Sequence, residues 1–460
     1  MKNREYVIIA LFILVAVVAT SLALMSLPAA LVLAAALTVA ILVFFKPFYG
    51  LLLYIVLLYI RPQDFVPALE KLRIMLVLAI AIILSFFIHH IFTKRKISLL
   101  QSRQSIFMFA LLILVPVSNL ANLQFKEAWD GFNDFLTLFL LFFMIVSIMD
   151  DSRKLRALAW TLVVCTAIIC VNGIIQRFRG FDLIGNIPEV DGRIRWIGIF
   201  GDPNDFALLI NSFFPFVLVR FFEKGIGALQ RFLLLIVGAI NILAIYYTGS
   251  RGGFIALLLI LTFFAFKRWG LVRGLVIGAV FFAAAIAIAP SRFMDLSPYG
   301  TSASGRIYAW IDGLVMLRAR PVFGVGFDQF TVVHGRAAHS AFIECMAELG
   351  LVGYLAWISI IFMSFKDISR VIGTSSSESL VKYAKVVQLS LVGFLGSAFF
   401  LSQAYSPVFY ILVAFATKIS AISDPAIKRP FMLSAGELIR IGLIIGGSIA
   451  AYKLLAMIYI

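Results

Sequence analysis

Residues 290–339 read PSRFMDLSPYGTSASGRIYAWIDGLVMLRARPVFGVGFDQFTVVHGRAAH. Long apolar runs flank this stretch on both sides, so it reads as a loop between membrane-spanning segments. It holds Arg292, Arg306, Arg318, Arg320 and Arg336, and the histidines His334 and His339. Part of it is predicted to fold. Ile307, Trp310, Ile311 and Leu314 follow the i, i+3, i+4, i+7 spacing of one helix face. Gly305 before that run and Pro321 after it act as stop signals. The expectation is a cap over a site at one membrane face, binding something anionic.

Outward from the loop, the composition is that of a membrane protein. The chain has 460 residues, of which 62% are hydrophobic and 13% charged, and its mean hydropathy is +1.05. A soluble domain is far more charged. Fifteen apolar stretches, from 6–25 to 441–459, mark spanning helices. The predicted fold is all-α and polytopic, with about 12–15 transmembrane helices and a partly helical periplasmic loop. The first apolar run follows MKNRE without a small-residue cleavage site, so it is expected to be a retained helix. The formal net charge of +16 does not indicate nucleic-acid binding. In a membrane protein, excess Lys and Arg set orientation and contact anionic lipid. Cys165, Cys170 and Cys345 lie in apolar runs without CxxC spacing, so neither a disulfide nor a zinc site is expected.

The positive-inside rule puts MKNRE, 94–103, 150–156, 223–231, 267–273 and 366–385 in the cytoplasm. Most of the 39 Lys and Arg then fall inside. The basic residues left outside are mostly Arg, with Lys only at Lys71, Lys126 and Lys453. A guanidinium binds phosphate or carboxylate as a planar fork, which an ammonium does not. An outer face enriched in Arg therefore suggests an anionic ligand.

Three outward-facing stretches carry candidate chemistry. In the first, 193–205, Asp202 before Pro203 reads as a helix N-cap, with Asp205 in the first turn. These acids either only begin a helix or also serve a site. Arg193 and Arg195, two apart in an extended segment, are expected to point the same way. They either snorkel to headgroups or hold a ligand. In the second, 246–253, glycines and a helix start favour an anion beside Arg251. A tight hairpin with a snorkelling arginine is the competing reading. In the third, His339 opens a helix that carries Glu344 and Glu348 on one face, where intramembrane acids are costly and usually functional. The helix dipole is expected to keep the His339 imidazole neutral and able to act as a general base. A structural histidine at the membrane interface is the alternative. His89 and His90 are given no role.

Taken in order, R-x-x-G-x-F-x-D-P-N-D-F-A (195–207), T-G-S-R-G-G (248–253), G-R-x-x-x-W (305–310) and His339-Ser340 followed by Glu348 and Gly350 resemble the O-antigen ligase and Wzy-type polymerase superfamily. The D-P-N-D-F-A variant and the long N-terminal extension are most similar to O-glycosylation ligases associated with exosortase A systems. The resemblance covers about 190–410. It implies a subgroup-specific transmembrane region over 1–180, a catalytic membrane region over 181–425 including the loop 290–338, and a tail with a final helix over 426–460.

What the resemblance implies is a GT-C-like, metal-independent glycosyltransferase of the bacterial inner membrane, with no cofactor. Its donor would be a glycan on undecaprenyl pyrophosphate at the periplasmic face, and its acceptor a lipid or a protein. By similarity, Arg195 (or its neighbour Arg193) and Arg306 would hold the pyrophosphate, and His339 would activate the acceptor hydroxyl. Arg251, Asp202, Asn204, Glu344 and Glu348 would line the substrate site. Preorganised arginines can stabilise charge growing on a departing pyrophosphate. A Wzy-type polymerase is the alternative within this chemistry. A transporter is the competing class, but neither inverted repeats nor helices broken near the midplane are legible in the sequence.

Overall fold

The computed structural model describes residues 38–39, 41–64, 74–93, 102–189, 191–288, 301–424 and 433–459. The predicted span 6–25, most of 29–45, Lys71, the basic run 94–101, and residues 289–300 with Arg292 lie outside the described residues. Among those described, every regular element is helical. Nine helices are long and apolar enough to cross a membrane, and three shorter apolar helices accompany them. The protein is an all-α polytopic membrane protein.

The chain forms two compact units, Met1–Ile97 and Ser98–Ile460. In the first, α1 (Pro47–Ile60) starts with proline at its first position and ends where Arg61 enters the left-handed region (φ 51°). It packs on α2 (Ile74–Thr93), with Ile82 in van der Waals reach of Gly50.

The second unit holds α3 (Arg103–Leu120), α4 (Phe125–Ile148), α5 (Ser152–Arg179), α6 (Pro203–Phe221), α7 (Ala228–Thr248), α8 (Arg251–Trp269), α9 (Leu271–Ile288), α10 (Thr301–Ala319), α11 (Phe330–His334), α12 (Ala341–Thr374), α13 (Glu378–Ala398), α14 (Pro407–Ser423) and α15 (Ala435–Tyr459). Local chemistry sets the boundaries. Ser102, Asp151, Asp202, Ser250 and Ser377 each cap a helix by accepting a backbone N–H from its first turn. Gly180 and Gly249 close α5 and α7 with positive φ, where a side chain would be strained. Two boundaries differ from the sequence reading. The loop helix α10 begins at Thr301, so Gly305 lies inside it rather than before it. A helical glycine costs only about 1 kcal/mol relative to alanine and does not force an end. The basic stretch 366–385 is not a loop either. α12 and α13 run through it and leave only 375–377 as the turn.

α12 is the most enclosed of the spans, with 72% of its apolar window buried, and it is broken. Gly350 sits at φ 63° and ψ −166° inside it. The carbonyls that lose their helical partners accept from the loop after α10: Val325 N–H donates to Ala347 O (2.9 Å) and Gly326 N–H to Glu348 O (3.1 Å). In return, Leu351 N–H donates to Pro321 O (2.8 Å) and Val352 N–H to Val322 O (3.2 Å). Irregular backbone inside a membrane protein persists only where protein re-satisfies its polar groups. The 321–326 loop does this. An interrupted spanning helix was not expected from the sequence, because one glycine in an apolar run does not announce a break.

A Cβ at Gly350 would collide with the Val322 carbonyl, at a φ that side chains rarely adopt. Gly350→Ala is expected to destabilise the protein by more than about 2 kcal/mol. Thermal unfolding in detergent checks this, and an unchanged midpoint would contradict the role given to the break.

Candidate active site

Three helix starts meet at one end of the second unit, those of α6, α8 and α12. α6 and α8 touch there so closely that a Cβ at Gly253 would clash with Ala207. Asn211 fixes the approach, donating from Nδ2 to Gly253 O (2.7 Å) and to Ser397 Oγ (3.2 Å). The connection 399–406 between α13 and α14 completes the floor. Phe400 packs on Gly252, and Ser402 Oγ accepts the His339 N–H at 2.9 Å.

Arg193 lies over this floor. Its Nε donates to Thr248 O (2.7 Å) and its Nη2 to Asn204 Oδ1 (3.1 Å). Asn204 is held in turn by Asp202, whose Oδ1 accepts from Asn204 N (2.6 Å) and Nδ2 (2.8 Å). The N-cap of α6 therefore also positions the partner of Arg193.

Arg306, half-buried on α10, feels the charges of this group. Burial, and then the positive charges of Arg251 and Arg193, lower its hold on its proton, while Asp202 acts the other way. Guanidinium still stays protonated. The result is three neighbouring cations, a setting that favours an anion.

His339 is half-buried beside them, with its backbone in the left-handed region at φ 50°. That conformation costs a non-glycine residue on the order of 1 kcal/mol. Its imidazole is held below the ordinary histidine range, first by burial and next by the charge of Arg306. His334 and Arg336 push the same way and Asp202 opposes them. The expected neutral imidazole thus has causes beyond a helix dipole.

Arg195 is not part of this group. Its Nη1 pairs with Glu189 Oε1 (2.7 Å) and its Nε donates to Ile187 O (3.3 Å). It is not among the charges that act on Arg306. Burial alternates along 193–196, with Ile194 and Trp196 buried and the two arginines less so, yet the arginines take different partners. Glu189 N–H donates to Arg193 O and Gly192 N–H to Glu189 O, and this turn brings Glu189 to Arg195.

Glu344 and Glu348 each accept a backbone N–H through one carboxylate oxygen. Glu344 Oε2 accepts from Ala404 (2.9 Å) and Glu348 Oε1 from Phe330 (3.2 Å). They anchor the 399–406 connection and the short helix α11 to α12. Ser340 is held by Tyr452, their hydroxyls 2.6 Å apart.

Two groups were missed by sequence reasoning. Ser402 lies 63 residues from His339. Asp312 on α10 lies 2.6 Å from Nδ1 of His334, across 22 positions. Neither pair has a local spacing signal. Among the described residues, no group of three or more His, Cys, Asp or Glu is placed to hold a metal ion.

Residues 234–358 match the family model for the O-antigen ligase domain. The match takes in Arg251, Arg306, His339, Glu344 and Glu348, while Arg193, Arg195, Asp202 and Asn204 precede it. No curated protein matches the chain. Over the stretch 234–358, this chain is similar to the O-antigen ligase family.

Proposed function

We propose that this chain is an oligosaccharide ligase of the bacterial inner membrane, taking a glycan from undecaprenyl pyrophosphate at the periplasmic face. What supports the reading is that Arg193 and Arg251 act by their charge on Arg306, and Arg306 in turn on a half-buried His339 whose pKa is depressed. The excess of basic residues on the opposite side supports the orientation.

His339 takes the proton from the acceptor hydroxyl as its oxygen attacks the anomeric carbon. The bond from that carbon to the donor phosphate oxygen breaks, and the electron pair leaves with the pyrophosphate. Attack opposite the leaving group inverts the anomeric centre. The arginines stabilise the added negative charge, in the role a metal ion plays in other transferases. His339 then releases its proton to water. The acceptor is a lipid or a protein, and the D-P-N-D-F-A variant favours a partner in exosortase-associated O-glycosylation.

The different partners of the two neighbouring arginines support different roles for them. Arg193→Ala is expected to lower transfer about 100-fold. Arg195→Ala breaks only a part-exposed pair with Glu189, of a kind worth about 0–1 kcal/mol, and should leave activity within a few-fold. Initial rates with a lipid-linked donor test this, and equal loss in both variants would reject the assignment. Product analysis separates ligase from polymerase. A missing conjugate with free polymer intact marks the ligase, whereas loss of a ladder of repeat lengths marks the polymerase.

A further inference from the structure

The far end of the same bundle holds a cavity that glycan transfer does not use. α6 runs from Pro203, beside the arginine cluster, to Phe221, about 28 Å at the rise of an α-helix. There the ends of α6, α8 and α12 meet the start of α13 around a cavity of about 930 Å³. A smaller one of about 240 Å³ shares Arg156, Val219, Glu223 and Lys382 with it.

The lining is mixed. Val219, Phe222, Phe264 and Leu389 contribute apolar surface, and the polar lining is mainly basic, with Glu223 and Glu378 as its acids. Glu223 pairs with both Arg220 and Lys382, the latter at 3.1 Å, which leaves the three together with one net positive charge. Arg156, Lys267, Arg268 and Lys385 also line the cavity. None of these four has an ion-pair partner among the described residues. Aromatic faces hold two of them instead: Lys267 lies 5.4 Å from the Phe263 ring centre and Arg268 5.4 Å from that of Phe222. The turn into α13 adds Ser375, Ser376 and Ser379. The Ser379 hydroxyl oxygen is buried and has no hydrogen-bond partner.

We infer that this cavity binds the phosphate headgroup of an anionic phospholipid, with an acyl chain laid against Phe222 and Phe264. Cations without carboxylate partners and an unmatched serine hydroxyl suit a phosphate. The apolar wall selects a lipid over a free phosphate, which would leave that surface wet. Clustered Lys and Arg at a helix-bundle end attract anionic lipid electrostatically, and the half-open cavity gives a headgroup a place to sit. The inference is independent of the glycosyl-transfer reading.

The test uses the purified full chain in detergent, with phosphatidylglycerol and phosphatidylcholine supplied equally and the bound lipid counted by native mass spectrometry. The parent is expected to keep phosphatidylglycerol at least tenfold over phosphatidylcholine. Arg268→Ala with Lys385→Ala should weaken that binding roughly 30-fold, the effect of two interfacial charges. Lys385→Gln alone gives a milder check if the double variant folds poorly. Equal retention of both lipids by the parent would overturn the inference, as would full phosphatidylglycerol binding by either variant. Displacement of the lipid by millimolar inorganic phosphate would also overturn it, marking a soluble phosphate ligand instead.

Discussion

His339→Ala is expected to leave the chain in the membrane and to lower glycan transfer by about 10²–10⁴-fold, the range for loss of a general base. Membrane fractionation alongside transfer rates checks both halves. His339→Asn is the sharper variant. Asparagine tolerates a left-handed backbone and keeps the N–H that Ser402 accepts, so its failure would be a failure of chemistry. Full transfer by His339→Asn would remove the proposed base. The pH profile carries a signed expectation. Only neutral imidazole accepts a proton, so transfer falls as pH drops through the His339 pKa. Burial and Arg306 depress that pKa, so the acid limb should lie below pH 6.5, the ordinary value for histidine. Removing the Arg306 charge makes protonation easier, so residual activity in Arg306→Ala should show the limb moved to higher pH. A limb that stays in place would show that the two groups do not communicate.

Arg306→Lys is expected to lower kcat about 100-fold although the charge is kept. A guanidinium presents a planar fork that can hold two phosphate oxygens, whereas an ammonium is a flexible point charge. Arg306→Ala should lose about 10²–10³-fold, in line with removal of one preorganised donor to a developing anion. The split between parameters tests the role. If Arg306 acts on charge that grows as the glycosidic bond breaks, kcat falls while KM for the donor moves little. A rise in KM alone would make Arg306 a ground-state anchor. Wild-type rates in Arg306→Lys would show that net charge suffices there. The surroundings of Arg306 motivate the emphasis on geometry. It is half-buried, and Arg193 and Arg251 add their charge to it, so a longer-range positive field would survive the lysine substitution and isolate the loss of the fork.

Much of the architecture was legible from residue chemistry. The apolar runs predicted the spanning helices because lipid forces backbone polar groups to pair within each segment. Asp202 before Pro203 predicted the start of α6, since capping is decided within one turn. Gly249 and Ser250 likewise mark the end of α7 and the start of α8. Arg193 and Arg195 were not separable. Their partners differ because a turn at 189–193 brings Glu189 to Arg195, while Thr248 and Asn204 lie at Arg193. Glu344 and Glu348 were recognised as intramembrane acids, but not as holders of loops. Their partners, Ala404 and Phe330, contribute only backbone N–H groups, and these leave no trace in residue identity.

By itself, then, the order of amino acids determined where this chain meets lipid, where its helices begin, and which side chains carry charge or a titratable ring. Those properties are set within a few residues by hydropathy, capping and side-chain type. Only the folded bundle decided which arginines face one another, that Ser402 receives the His339 amide, and that 321–326 repairs the break at Gly350. Each of those depends on groups brought together from helices far apart in the chain, and contacts of that range have no period to read.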